Sequence, residues 1–482
     1  MLAKPLSYLI NLSFEKGIFP SSLKQSKVIP FLKKGDKNVK NNYRPISLTS
    51  VFSKLFERIF LSRLLNFIDR HDIFSPQQFG FRKGRSTIDA ILETTDYILN
   101  EIDRGNVTTG AFIDLSKAFD CVDHNILYTK LDRYGIRGEA LDWIKDFLSD
   151  RTQYVELRNI ESQSSQKSDS ANVTSGVPQG SVLGPPFYLL YVNSVLEDTS
   201  EHVQKIMFAD DTTVLISCKN TYETEIVANE TLNSMMQDFA NHSLLLQTTK
   251  TNLIHFCSNA YNQNSFFPSV TLDETILEEV KDTNFLGVRL DNILSYNPHI
   301  EELASKLNRS LYVIRRISAT SNLETALSVY HSLFLSHIAY SIILWGSNNG
   351  HLQRIFRIQK RAIRFLFGLP RLASCREHFT AMNLLTVPAI FIKKSIEYIK
   401  QIEYTLPRTG DLHEHQTRNR DNFAHIQHRT TAFERNARYQ GTQFIRKLPQ
   451  DIASINNKKH FKKQLTDYLI AKCVYSVNEF LH

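Results

Sequence analysis

Cysteine is scarce in this 482-residue chain, and its five cysteines form no close pairs. Such scattered thiols predict reduced, mostly buried side chains in an intracellular protein and exclude a disulfide-stapled secreted domain. Cys375 and His378 have the spacing of metal ligands, but no second pair lies nearby in the sequence. Because a structural zinc site needs four ligands, we expect none here.

Long apolar runs are also missing. We find no run that approaches the ~20 residues of a membrane-spanning helix. The segment from Met1 to Phe14 is a poor signal peptide, because Asn11 interrupts its apolar stretch. The sequence therefore predicts no membrane association and a location inside the cell, in the nucleus or the cytoplasm.

A strong charge of either sign is absent as well. Lys and Arg outnumber Asp and Glu by 57 to 49, so the formal charge of +8 favours a polyanionic partner only slightly. With 42% hydrophobic and 22% charged residues, the chain has the balance of a folded protein. Its length suits two or three domains, each with a core of its own.

The periodicity of the apolar residues divides the chain into three parts. Residues 2–70 show helical spacing, interrupted by a charged loop at 33–42. Residues 107–256 alternate short β-type runs with helices, which predicts an α+β sheet domain with helices packed on one face. Beyond Phe285 the helical period returns. After Pro407 a stretch rich in Arg and His precedes a last helix, and we expect this tail to be a separate module or a partly disordered arm.

Two adjacent acids, Asp210 and Asp211, lie between two apolar β-type runs. A tight turn would place both at its tip, although Asp-Asp is a poor hairpin sequence. Their mutual repulsion becomes favourable when a divalent cation lies between them. Taken alone, such a pair is more often a solvated turn, so the interpretation needs a third ligand.

Asp114 can supply that ligand, because it ends an apolar strand at the point where the chain turns toward a helix. Three carboxylates from two neighbouring strands can hold two Mg²⁺ ions about 3.5–4 Å apart, a geometry suited to phosphoryl transfer. On spacing alone a two-metal site and an ordinary cluster of acids remain equally acceptable. We interpret the nearby Asp120 and Asp123 as acids at a helix N-terminus.

The segment from Ser175 to Ser181 is a glycine-bounded loop that opens an apolar helix. Glycines allow the backbone to approach a ligand closely, and a helix N-terminus attracts phosphate. A generic Gly-Pro turn is the alternative, and the loop alone does not decide between them.

Seven ordered motifs carry a family resemblance. They are YRPISL (43–48), QFGFRKGRST (78–87), FIDLSKAFD (112–120), GVPQGSVLGP (176–185), FADDTTVL (208–215), KTNLIHF (250–256) and FLGVRLD (285–291). In this order they resemble the reverse transcriptases of non-LTR (LINE-type) retrotransposons, jockey-like elements above all. The resemblance implies a right-hand polymerase fold of the α+β class. It places truncated fingers at 1–105, a palm at 106–260 within a reverse transcriptase domain of about 25–290, a primer grip and helical thumb at 261–370, and a basic region at 371–482.

The resemblance also implies roles for single residues. Metal-binding catalytic residues would be Asp114, Asp210 and Asp211, and Lys250 would be a general acid to the pyrophosphate. Nucleotide-binding residues would be Arg44, Arg82, Phe119, Gln179 and Gly180, with Phe119 as the gate against a ribose 2′-hydroxyl. The primer grip would be Phe285, Leu286 and Gly287. From sequence alone Phe119 would be a core aromatic, the arginines and Lys250 solvated charges, and the grip a buried strand.

The implied activity is RNA-directed DNA polymerisation by a mobile-element enzyme with two Mg²⁺ ions, Mn²⁺ being an alternative. Its partners would be an RNA template, a DNA primer or nicked target DNA, and dNTPs; protein partners are unknown. We expect a chain that lacks the family's upstream endonuclease, and Pro186 stands where the family has leucine. Pro186 is nearly harmless if Pro185 is the first helical residue, but not if the helix begins at Ser181. These departures leave open a second reading, a decayed or co-opted RNA-binding remnant. A group II intron maturase would carry a different C-terminal domain.

Overall fold

The computed structural model describes residues 2–33, 35–116, 118–158, 164–196, 200–246, 250–257, 268–272, 275–412 and 422–482. Helices and sheets are both present, which confirms the α+β class. The strands are β1 (Gln25–Leu32), β2 (Tyr43–Leu48), β3 (Val107–Ile113), β4 (Leu115–Ser116), β5 (Arg151–Arg158), β6 (Ser165–Lys167), β7 (Ala171–Val173), β8 (Val203–Phe208), β9 (Asp211–Cys218), β10 (Leu245–Leu246), β11 (Asn252–Phe256), β12 (Thr271–Leu272), β13 (Thr275–Ile276), β14 (Asp282–Phe285) and β15 (Val288–Asp291).

Helices connect and cover these strands. They are α1 (Ala3–Glu15), α2 (Val51–Arg70), α3 (Thr87–Arg104), α4 (His124–Arg133), α5 (Glu139–Leu148), α6 (Gly184–Val192), α7 (Thr221–Asn241), α8 (Asn297–Thr320), α9 (Leu323–Val329), α10 (Ser336–Trp345), α11 (Asn349–Leu366), α12 (Arg376–Ala381), α13 (Val387–Ile402), α14 (Thr409–Leu412), α15 (Ala437–Ile445), α16 (Gln450–Ala453), α17 (Lys458–Lys472) and α18 (Val477–Leu481).

The central sheet has the antiparallel order β11-β3-β9-β8. Side chains alternate across a strand, so Phe112 joins the core that contains α3, whereas its neighbours Ala111 and Ile113 join the core that contains α6 and α7. Helices therefore cover both faces, and the prediction of helices on one face is wrong. Neither face of β3 or β9 meets solvent, so every residue after the first in each strand is buried.

The outer sheet has the order β2-β1-β5-β6, and β7 also pairs with β5. Its first two strands fall in residues 2–70, which we predicted to be helical with basic loops; α1 and α2 agree with that prediction, but β1 and β2 do not. Pro30 and Pro45 pair with each other in the antiparallel register of these strands. Proline is not a signal for a strand, so the hydrophobic pattern gave no indication of this hairpin.

The described residues of the C-terminal region pack against the rest of the chain. Helices α13, α15, α17 and α18 share one core with α3 and with one face of the central sheet. Polar contacts fix the same junction: Arg438 Nε donates to Asp96 at 2.8 Å, and the backbone N–H groups of Arg429 and Thr430 donate to Asp103. The prediction of a separate module or arm is therefore wrong for these residues, while 413–421 lie outside the described part.

One helical run does have the length and composition of a membrane-spanning segment, contrary to our reading of the sequence. It spans Leu323–Trp345, has a mean hydropathy of 1.4, and has 39% of its most apolar window buried. Tyr330, Phe334 and Ile338 of this run pack into the protein core. Core helices commonly pass this test, so the run is weak evidence for a membrane.

Candidate active site

The three candidate metal ligands lie at adjoining strand ends. Strands β8 and β9 form a hairpin whose last pair is Phe208 with Asp211, so Ala209 and Asp210 make the turn. On the other side of β9, Ile113 pairs with Thr212. Because the next step of this antiparallel ladder sets Asp114 beside Asp211, the sheet brings together the three acids that the sequence singled out.

The turn is held in place by a segment that the sequence reading did not assign to it. Phe79 N–H donates to Met207 O at 2.7 Å, and Gln78 Oε1 accepts from Ala209 N–H at 3.2 Å. Gly80 packs so tightly that a Cβ atom there would lie 2.3 Å from Ala209 N. Ala209 itself has a φ of 60°, a conformation that costs a non-glycine residue energy. The QFG motif therefore fixes the strained backbone that presents Asp210.

The concentration of acids changes their proton affinity. Burial raises the pKa of Asp211 to about 6, and the charges of Asp210 and Asp114 add to this rise. Burial and the charge of Asp114 also raise the pKa of Asp210. Lys33 and Arg44 act in the opposite direction on both carboxyl groups. The site thus combines repelling carboxylates with nearby cationic side chains, an arrangement that divalent cations stabilise.

The donor set fits a hard divalent cation, because carboxylate oxygens are the ligands that Mg²⁺ prefers. Within the described residues, however, no three acidic, histidine or cysteine side chains are already set around a common ion position. Asp114 Oδ2 instead lies 3.4 Å from Lys250 Nζ. The backbone therefore brings the acids together at adjoining strand ends, while the Asp114 side chain is paired with Lys250.

An open cleft of about 1030 Å³ lies over the acids. Its walls contain seven of the nine predicted catalytic and nucleotide-binding residues: Asp114, Asp210, Lys250, Arg44, Phe119, Gln179 and Gly180. The other two are Arg82 and Asp211, and Asp211 adjoins the cleft because it follows Asp210 in the chain. The walls also contain Lys33, Lys40, Phe81 and Asp120, to which we had given no ligand role. Both lysines belong to the charged loop at 33–42, and the concentration of lysine in that loop was the available signal.

Phe119 is half-buried, and its ring stacks on Tyr188 of α6 at a centroid distance of 4.6 Å. The ring of Phe81 meets Phe119 edge-on at 6.2 Å. The Phe119 ring therefore packs on the buried Tyr188, and the Phe119 side chain also lines the cleft. This placement accommodates both readings, a core aromatic and a gate residue, in one side chain.

The loop at 176–181 packs between two other motifs. A Cβ atom at Gly176 would lie 2.8 Å from Asp120 O, and one at Gly180 would lie 2.5 Å from Ser47 O. Gln179 Nε2 donates to Asp120 Oδ1 at 3.1 Å. Asp120 is therefore a partner of the loop, and its interpretation as a helix N-terminal acid is wrong. That interpretation is confirmed for Asp123, which caps α4.

Glu57 organises the start of α6, although the sequence gave no hint of it. This fully buried carboxylate accepts hydrogen bonds from Val182 N–H at 2.6 Å and Leu183 N–H at 3.2 Å, and Ser53 Oγ donates to it at 2.8 Å. A negative charge at a helix N-terminus complements the helix dipole. Glu57 therefore links α2 to the glycine-bounded loop and the helix that follows it.

The unusual prolines are harmless to α6. The helix begins at Gly184, and its first i to i−4 hydrogen bond runs from Phe187 N–H to Leu183 O. Pro185 and Pro186 therefore occupy the first turn, where backbone N–H groups have no partner within the helix. The substitution that raised doubt about this chain removes no helical hydrogen bond.

Arg82 has a different position from the one that the resemblance implied. Its Nη1 donates to Ser75 O at 2.6 Å, and its guanidinium lies over the ring of Phe74 at 5.4 Å. Burial lowers its pKa. Arg82 does not appear among the described residues that line the cleft. In this structure Arg82 therefore holds its own loop, and its role as a nucleotide ligand stays a prediction.

The predicted primer grip is a hairpin. Strands β14 and β15 pair Phe285 with Val288, and Leu286 and Gly287 form the turn, both with positive φ. Phe285 is buried against Phe112 of the central sheet, with ring centroids 5.4 Å apart. Tyr340 of α10 donates to Leu286 O. The turn is thus tied both to the sheet that carries Asp114 and to the helices that follow.

Comparison with known proteins supports the reading of the motifs. The reverse transcriptase (RNA-dependent DNA polymerase) family matches residues 32–290. The chain is 27% identical over 376 residues to the RNA-directed DNA polymerase from mobile element jockey of Drosophila melanogaster, covering 76% of this chain and 40% of that protein. It is 28% identical over 399 residues to the probable RNA-directed DNA polymerase from transposon BS of the same organism, covering 79% of this chain and 42% of that protein. The chain thus spans about two fifths of these relatives.

Among solved structures, telomerase from Candida tropicalis in complex with a fragment of telomeric RNA matches with a TM-score of 0.40 and 13% identity, covering 96% of this chain and 67% of that one. Apo telomerase of the same organism matches with a TM-score of 0.39 and 12% identity, covering 84% and 73%. Scores this low carry no functional information. The family match extends over more than half of the chain and includes all the carboxylates of the site. The chain therefore belongs to the reverse transcriptase (RNA-dependent DNA polymerase) family.

Proposed function

We propose that the chain is an RNA-directed DNA polymerase that extends a DNA 3′-end along an RNA template, using dNTPs and two Mg²⁺ ions, with Mn²⁺ as a substitute. The observation that carries the proposal is the convergence of Asp114, Asp210 and Asp211 at adjoining strand ends beside a cleft with cationic walls. The nucleic-acid partners would be an RNA template and a DNA primer or nicked target DNA.

In this mechanism the three aspartates would hold the ions. The ions would neutralise charge on the entering and leaving oxygens of phosphoryl transfer. Lys33 and Arg44 lie close enough to influence the acids electrostatically, so they can bind the phosphates of the nucleotide in the same cleft. Lys250 lies beside Asp114, from where it can give a proton to the leaving pyrophosphate.

Other residues of the chain select and position the substrates. Phe119, supported by Tyr188, would exclude a ribonucleotide by contact with its 2′-hydroxyl. Gln179 and Gly180 lie in the loop that faces the cleft, where they would contact the incoming nucleotide. The turn at Leu286 and Gly287 would hold the primer end, because its hairpin packs on the strand that leads to Asp114.

The alternative of a decayed, RNA-binding remnant rested partly on Pro186. Since Pro186 lies in the first turn of α6 and removes no hydrogen bond, this argument loses its force. In addition, Gly80, Gly176 and Gly180 lie in close contact with the backbone of neighbouring segments, so the segments around the acids are tightly packed. No feature of the described residues specifically favours the remnant.

Primer extension tests the proposal. Purified protein with oligo(dT) annealed to poly(rA), dTTP and Mg²⁺ should extend the primer, and Asp210→Ala with Asp211→Ala should abolish extension. Asp132→Ala is the control, because Asp132 is an acid paired with Arg137 on the surface. Absence of extension by the wild-type protein, with RNA binding retained, would favour the remnant.

A further inference from the structure

Phe81 combines three properties that rarely occur together. Its backbone has a φ of 52°, a left-handed conformation that is an outlier for a bulky side chain. Its side chain is 59% exposed. It also lines the cleft above the acids. Strain of this kind persists only where the surrounding structure enforces it, and it is concentrated at functional sites.

The neighbours of Phe81 explain how the conformation is enforced. On one side, Gly80 is pressed against Ala209, and Phe79 N–H is bonded to Met207 O. On the other side, the guanidinium of Arg82 is bonded to Ser75 O. With both flanks fixed, the backbone at Phe81 directs the ring away from the core and into the cleft.

The ring completes a series of three aromatic side chains. Tyr188 is fully buried, Phe119 stacks on it, and Phe81 meets the edge of Phe119 at an interplanar angle of 89°. Exposed aromatic rings in a nucleic-acid cleft offer a stacking surface that any base can use, since every base has a π-face. The series therefore extends from the core beneath the acids to a free apolar surface beside them.

We propose that Phe81 is a nucleotide-binding residue whose ring lies against the base of the incoming nucleotide, opposite the sugar contact proposed for Phe119. This inference rests on the proposed polymerase function and adds to it a nucleotide contact in the QFGFR motif. The contact is independent of base identity, so it should affect all four nucleotides alike.

The test measures nucleotide affinity in Phe81 variants. Phe81→Ala should lower kcat/KM for each dNTP about tenfold through KM, because alanine substitution of a stacking aromatic removes affinity of this order. Phe81→Tyr keeps the ring and should stay close to wild type. Phe81→Gly should lose nucleotide affinity like alanine without losing thermal stability, since glycine adopts positive φ readily.

Tyr222→Ala is the matched control, because Tyr222 is 75% exposed and follows the far end of β9, roughly 25 Å from Asp211. Unchanged dNTP KM in folded Phe81→Ala, or a loss confined to primer–template affinity, would overturn the inference. The affinity for the next dNTP can also be measured by equilibrium binding to protein that carries a dideoxy-terminated primer and template. Because such a primer cannot be extended, this measurement tests the contact at Phe81 independently of catalysis. If the wild type binds the dNTP there but does not extend a normal primer, the polymerase proposal fails while the contact at Phe81 is still decided.

Discussion

Replacing Gly80 with alanine should slow catalysis strongly as well as destabilise the fold. The new Cβ atom would lie 2.3 Å from Ala209 N and 3.0 Å from Ala209 Cα, both backbone atoms that cannot rotate away. Ordinary contact begins at 3.4 Å, so the two segments must separate by about 1 Å. Overpacking of this kind costs about 1–3 kcal/mol of stability. A displacement of about 1 Å at reacting groups can cost about a hundredfold in rate.

Gly84→Ala separates this clash from the general effect of removing a glycine. Gly84 has a φ of +81°, and no atom lies within 4 Å of the position of its Cβ. This variant should lose about 1 kcal/mol of stability from backbone strain and keep its polymerase rate. The assay compares single-turnover primer extension with urea unfolding for both variants. Equal loss of rate in the two variants, or an unchanged rate in Gly80→Ala, would refute the role of Gly80 in placing Asp210.

Three further predictions follow from the same contacts. Glu57→Gln should lower the free energy of unfolding by about 1–3 kcal/mol, because it weakens a buried charge-assisted hydrogen bond from Val182 N–H, just before α6. It should also raise the dNTP KM; urea unfolding measures the first effect and steady-state kinetics the second. Burial raises the pKa of Asp96 from 3.8 to about 6. The folded state therefore binds this proton more tightly than the unfolded state, so the free energy of unfolding should increase as the pH falls from about 6 to 3.8. Asp96→Asn should flatten that part of the pH profile of urea midpoints, and an unchanged profile would contradict the assignment. Mg²⁺ should raise the melting temperature of the wild type at pH 7.5 but not of Asp210→Asn with Asp211→Asn, and the rise should shrink below pH 6 as Asp211 binds a proton.

The sequence was most informative where strand periodicity and chemistry coincide. Asp114 and Asp211 could be located because each adjoins an apolar run long enough to identify a buried strand, and β3, β8 and β9 lie where those runs were predicted. The antiparallel pairing of β3 with β9 sets these two acids side by side, and the hairpin of β8 with β9 places Asp210 at its turn. Local patterns sufficed here because the ligands are attached directly to the strands.

Tertiary contacts account for what the sequence could not reveal. Nothing local distinguishes Glu57 from a surface helix residue, since its partners Val182 and Leu183 lie far away in the chain. Arg82 looked like a ligand because it is basic and lies in a motif, yet its guanidinium is directed to Ser75 O. The second helical layer on the central sheet was missed because an antiparallel sheet commonly leaves one face to solvent.

Three glycine contacts show how motifs that are far apart in the sequence pack against one another. Gly80 of QFGFR lies against Ala209 of FADD, Gly176 of GVPQG lies against Asp120 of SKAFD, and Gly180 of the same loop lies against Ser47 of YRPIS. In each case a Cβ atom would be 2.8 Å or less from backbone of the other motif. Five of the seven motifs therefore contact one another through their backbones, and the carboxylates keep their places only when these contacts are made. This mutual dependence explains why the motifs predict the site jointly, and why changes at residues that touch neither metal nor nucleotide should still reduce activity.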